Sequence, residues 1–137
     1  MSSTEFAVTP APASRGWVFW AARAFAALPV LLIAMSASMK LSHQPQFVAM
    51  FVGHLGYPEA TLTGIGLLEL GCAVIYAIPQ TSLYGALLLT AYFGGATATH
   101  VRIGEPFVTP VLVGVLVWLG LIVRDARVRK VILPQRA

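Results

Sequence analysis

The sequence predicts an all-α, polytopic membrane protein: a bundle of four transmembrane helices with a short interfacial helix between the first and second spans. Three observations carry that expectation. Hydrophobic residues make up 58% of the chain and charged residues 10%, against about 45–50% and about 25% in a soluble domain. Four apolar runs, over 17–39, 60–78, 83–101 and 107–123, each approach the length of about 20 residues that a spanning helix needs. The segments between them are short, and 137 residues leave room for a single domain. The same composition excludes a soluble enzyme, a disordered chain and a disulfide-stapled secreted domain. The one cysteine, Cys72, supplies neither an internal disulfide nor a Cys-rich metal site.

Residues 1–16 mix Ser, Thr, Pro and Ala without periodicity and read as a flexible tail. The first run is entered through Trp17 and Trp20, as suits the headgroup layer. It is longer than a signal-peptide core and carries Arg23 inside, so it reads as a membrane helix. Pro29 removes one backbone hydrogen bond and is expected to bend it between residues 25 and 29. In the longest connection, 40–57, Phe47, Met50, Phe51 and Leu55 recur at helical spacing and Gly56 marks a stop. This is the expected interfacial helix. Pro58 and Glu59 then open the second span, Pro79 to Ser82 form a tight turn, and Pro106 opens the fourth. The domain so defined covers 17–126, followed by a basic tail over 127–137. Small residues at helical spacing, Gly64 with Gly71, Gly66 with Ala73, Gly95 with Thr99, and Pro110 with Gly114, are expected at helix crossings.

The net charge of +4 does not point to nucleic acid. Five of the nine basic residues, Arg124, Arg127, Arg129, Lys130 and Arg136, lie in the last fourteen positions, directly after an apolar run. That is the pattern of a cytoplasmic flank, with the lipid bilayer as the partner. With four spans, one side holds six basic residues and the other two, Lys40 and Arg102. Both termini are therefore expected in the cytoplasm.

Glu69 is the sharpest polar signal. It falls near the centre of the second run with Gly66, Ala73 and Tyr76 on its helical face. A carboxylate at that depth must be neutral or partnered, and marks a functional or structural site inside the bundle. Its candidate partners are Tyr92, from the third run, and Arg23, from the first, which either pairs with Glu69 or reaches down to the headgroups. His100, on one face with Tyr92, forms a polar outer mouth with Lys40, Arg102 and His54. The candidate ligand-binding set is thus Glu69, His100, Lys40, Tyr92, Arg23 and Arg102. Cys72 and Trp118 read as packing residues. The spacing of His43, His54 and His100 matches no metal motif, so no metal is expected. No nucleotide-binding or hydrolase motif is present.

With these residues in hand, the chain resembles the DoxX-like family of small four-helix membrane proteins. The matching pieces are Met39-Lys40-Leu41, Leu55-Gly56-Tyr57-Pro58, Gly66-x-x-Glu69-Leu70 with Ile78-Pro79, Phe93 through His100, and the fourth run with Trp118 and Arg124-Asp125. The resemblance covers residues 17–130 and implies a bacterial inner (cytoplasmic) membrane location. It also implies a link to quinone and redox assemblies, with quinone as the candidate bound molecule, and it supplies no agreed catalytic residues. Two functions follow as expectations. One is a redox- or quinone-linked membrane component that binds a small apolar molecule, with a redox protein or a second copy as partner. The other is a non-enzymatic assembly factor or scaffold for a membrane protein. Whether the chain catalyses a reaction stays open, because it carries no electron carrier of its own.

Overall fold

The computed structural model describes residues 15–132. The flexible tail expected over 1–16 falls outside the described residues except for its last two positions, as do residues 133–137 of the basic tail. The described chain is helical throughout, with no strand among its residues. Its elements are α1 (Arg15–Leu41), α2 (Pro45–Val48), which widens into a π-helical turn over Ala49–His54, α3 (Ala60–Ala77), α4 (Ser82–Arg102), α5 (Val108–Arg124) and α6 (Ala126–Ile132).

The helix ends follow local chemistry. Pro45 sits in the first turn of α2, where its missing N–H costs no helical hydrogen bond. Gly56 and Gly104 follow helix ends at φ of 72° and 74°, a left-handed conformation that strains any residue with a Cβ. Helix α1 runs unbroken through Pro29, which is fully buried.

Four long helices form a ring. α1 packs against α3 and α5, and α4 packs against the other sides of the same two, while the diagonal pairs barely meet. One end of the ring is tightly closed. Gly85 lies against the Tyr76 backbone, so near that a Cβ there would overlap it, and Gly120 faces the Tyr76 hydroxyl and the Ala26 Cα. Tyr76 is wholly buried and donates its hydroxyl to the Val117 carbonyl at 2.8 Å, among Ala73, Ala86, Leu89 and Leu121. Towards the other end, Gly66 brings α3 onto α1 at Lys40 and Leu41. Pro110 is buried and Gly114 faces the Phe93 side chain, which a Cβ there would meet at 3.9 Å, as expected of a crossing, but other small residues differ. Gly64, Gly71, Gly94 and Gly95 face open space, because small residues occupy several sides of these helices and only some sides meet a neighbour.

The outer surface is apolar. Leu31, Leu67, Leu87, Val108 and Leu112 are all more than half exposed, a surface that water would not tolerate and lipid does. Only 28% of the most apolar stretch of α1 and 33% of that of α3 is buried within the protein. These two helices are each long and apolar enough to cross a membrane, and α5 with α6 makes a third, bent candidate. Helix α5 alone has 17 residues, short of the usual 20 or so, and α4 is diluted by Thr90, Thr97, Thr99 and His100. The chain is an integral membrane protein.

Helix α6 turns 110° from α5. Asp125 caps it, accepting from the amides of Arg127 at 2.9 Å and Val128 at 3.5 Å, and the Arg127 guanidinium closes on its other oxygen at 3.0 Å. Val128 is buried in the main core. Residues 126–132 of the expected domain end and basic tail are therefore a docked helix, held by one cap and one apolar anchor. The Arg127 side chain, foremost, and the two amides hold the Asp125 carboxyl below the ordinary carboxylate range, against a smaller upward push from burial. Its contribution is accordingly full above about pH 4 and lost as the pH falls through the lowered value. Asp125→Ala is expected to cost about 1 kcal/mol and to speed amide exchange in α6. Exchange equal to that of the parent protein would contradict the cap.

Candidate functional site

Because the diagonal helices of the ring barely meet, a cavity of about 820 Å³ lies between the helices, on the side of α2. Most of its wall is apolar, including Ile33 from α1, Phe51 from the π-helical turn, Cys72 from α3, Phe93 from α4 and Val113 from α5. Set into that wall are Lys40, Glu69, Tyr92 and His100.

Glu69 and Lys40 form a buried ion pair, Nζ to Oε2 2.8 Å, with only 2% and 7% of the two residues exposed. The sequence arranges this pair in two steps. Ser36 and Lys40 are one turn apart on α1, and the ammonium donates to the Ser36 hydroxyl at 2.6 Å. On α3, Gly66 lies one turn before Glu69, and its lack of a side chain admits α1 at Lys40. Phe47 completes the shell, its ring centroid 5.3 Å from the ammonium. An ion pair this dry survives only with its donors and acceptors satisfied.

Tyr92 stands near enough to Glu69 to interact with its carboxylate. His100 Nδ1 lies 2.8 Å from the Ala96 carbonyl. A carbonyl only accepts, so Nδ1 carries the proton and Nε2 of the neutral ring is left as an acceptor. Four of the six candidate residues are thus brought together on one cavity.

The other two are not. Arg102 donates to the Leu55 carbonyl at 2.7 Å and lies over the Tyr57 ring at 5.8 Å, so it braces the connecting segment instead of facing the cavity. Arg23 lines a separate hollow with Arg124 and packs over Phe19 at 5.0 Å. The candidate Arg23–Glu69 pairing is therefore replaced by Lys40–Glu69. Helix α1 has 27 residues, about 40 Å at 1.5 Å each, and Arg23 lies seventeen residues before Lys40, roughly 25 Å along it.

Two contributors escaped the sequence reading. Tyr57 and Thr99 join by their hydroxyls at 2.7 Å, and Thr99 donates onward to the Gly95 carbonyl at 3.0 Å. Tyr57 in turn stacks on Phe51 with centroids 5.0 Å apart. This tie, with the His54–Glu105 pair and the His43–Thr63 bond at 2.9 Å, closes residues 45–57 over the cavity. The Thr99–Gly95 spacing of four was the available signal; the partner on a distant loop was not. Among the described residues no three His, Cys, Asp or Glu converge as metal ligands would.

Phe51 is 5% exposed, packed with Leu55 and Leu62. Phe51→Ala is expected to cost about 3 kcal/mol, read as a lower thermal midpoint in detergent and faster amide exchange over 45–57. An unchanged midpoint and exchange would make this segment an exposed loop.

A helical membrane protein built round an internal, mostly apolar cavity with a buried ion pair is the class these features define. The DoxX-like family matches residues 24–122, and the chain belongs to that family. No curated protein matches it, and no solved structure does.

Proposed function

We propose that the chain crosses the membrane four times, with both termini cytoplasmic and α2 at the outer interface, and holds a small quinone-like molecule in the cavity as a redox-linked membrane component. The observation that carries this reading is the cavity itself: about 820 Å³ of largely apolar wall around the Lys40–Glu69 pair. Such a site suits a flat apolar ligand with a few polar atoms. The remaining N–H of the Lys40 ammonium donates to a ring carbonyl, and His100 Nε2 accepts from a ring hydroxyl. Leu68 and Leu88 are 57% and 45% exposed while also lining the cavity, which supports access from lipid between α3 and α4. Reducing a quinone takes two electrons and two protons. A membrane redox protein supplies the electrons and water the two protons, relayed through the Glu69 carboxylate and His100 Nε2, both of which are proton acceptors as placed.

Titration of the purified protein in nanodiscs with a short-chain benzoquinone, followed by tryptophan quenching, tests binding. A saturable curve is expected, weakened at least about tenfold, or 1.4 kcal/mol, by Ala96→Trp, which fills the cavity. A linear, unsaturable response identical in the variant would refute the site, and co-purification with a single membrane protein would then favour a scaffold. For topology, a membrane-impermeant maleimide applied outside should label Gln44→Cys and spare Gln80→Cys and Ala126→Cys. The reversed pattern would overturn the orientation.

A further inference from the structure

Opposite the cavity, at the end of the ring formed by the 78–82 turn and the start of α6, lies a second hollow of about 370 Å³. Its polar side carries Arg23 and Arg124, and its apolar side is the α1 face of Ala27, Val30 and Leu31. The charges do not balance. Among the described residues Asp125 is the single carboxylate lining the hollow, and Arg127 already takes both of its oxygens. Arg124 bonds the Tyr76 carbonyl and lies 4.3 Å over the Tyr76 ring, both neutral partners. Arg23 has the Phe19 ring and, among the described residues, no hydrogen-bond acceptor.

Among the described residues neither guanidinium has a counter-charge of its own, so the two together offer an anion a place to bind. A phosphate meets that need best, because it accepts several N–H bonds from guanidinium forks at once. The adjoining apolar face adds a second requirement, since a free ion has no use for Val30 and Leu31 while an acyl chain does. On the orientation proposed above, on which this inference rests, it is a basic pocket between helices at the inner headgroup level, where anionic lipid is enriched.

We propose that this hollow binds an anionic phospholipid, its headgroup phosphate between Arg23 and Arg124 and its first acyl carbons along α1. The site is independent of the quinone reading: it uses none of the same residues and stands or falls separately.

Native mass spectrometry of the full chain, released from detergent with equal phosphatidylglycerol and phosphatidylcholine, tests it. The parent protein is expected to retain phosphatidylglycerol preferentially. In Arg23→Gln, which removes an exposed side chain and leaves the core intact, that preference falls about fivefold. Arg129→Gln, on the outer surface of the same end, leaves it within about twofold, because it lies outside the hollow. Equal retention of the two lipids by the parent protein would overturn the proposal. So would equal losses in both variants, which would mean diffuse surface attraction. Inorganic phosphate that displaces the lipid at millimolar concentration in the parent protein and not in Arg23→Gln would make this a free-oxyanion site and overturn the lipid assignment.

Discussion

Lys40→Met is expected to lower the stability of the bundle by about 3–5 kcal/mol, since it leaves the Glu69 carboxylate buried without its partner. Glu69 is 2% exposed and, among the described residues, its ion-pair partner is the Lys40 ammonium at 2.8 Å. Glu69→Gln keeps the shape but strands the ammonium in the same way, so it too is damaging. A purely structural, already protonated Glu69 would instead make that change silent. The double variant Lys40→Met with Glu69→Leu removes both charges and should recover most of the loss, because the penalty belongs to the unpaired ion rather than to the absent bond. Denaturant unfolding in detergent micelles measures all four proteins. If either single variant matches the parent protein, the pair is not an ion pair in solution.

Gly85→Ala is the second large effect. The added Cβ would meet the Tyr76 backbone well inside van der Waals contact. A backbone atom cannot swing aside as a side chain does, and the short turn at 78–82 keeps α3 and α4 from separating freely. Overpacking of this kind costs about 1–3 kcal/mol, and Gly85→Val should prevent assembly. Gly94→Ala supplies the contrast. It adds the same methyl to the same helix where nothing lies within 4 Å, so it should be neutral or gain about 0.5–1 kcal/mol from helix propensity. Equal effects at the two positions would mean that α3 and α4 do not cross at Tyr76.

The contrast between Gly85 and Gly94 also shows where sequence reading stops. Apolar run length set the four long helices to within two residues at most ends, because in lipid a run of that length has little alternative to a helix. Helical periodicity put Gly66, Glu69, Ala73 and Tyr76 on one buried face, since one polar residue in an apolar run fixes which side faces inward. What periodicity does not carry is which neighbour that side meets. Lys40 and Glu69 are 29 residues apart, and their pairing depends on the α1–α3 crossing that Gly66 permits. Nor does the sequence show that the last turn of α1, at Lys40, rather than its middle meets Glu69 halfway along α3. Helix α6 was missed for a similar reason. Its basic residues look like a tail, and its docking rests on Asp125 and Val128, two residues that carry no pattern.

The proposed quinone-like ligand lies in the cavity beside Lys40 and Glu69. Photoaffinity labelling in native membranes with an azido-quinone, followed by peptide mapping, tests it most directly. Adducts are expected on the cavity-lining stretches of 36–40, 65–72 and 92–100, suppressed by excess unlabelled quinone and by Ala96→Trp. Adducts spread over the lipid-facing residues Leu31, Leu67 and Leu87, unaffected by competitor, would contradict it.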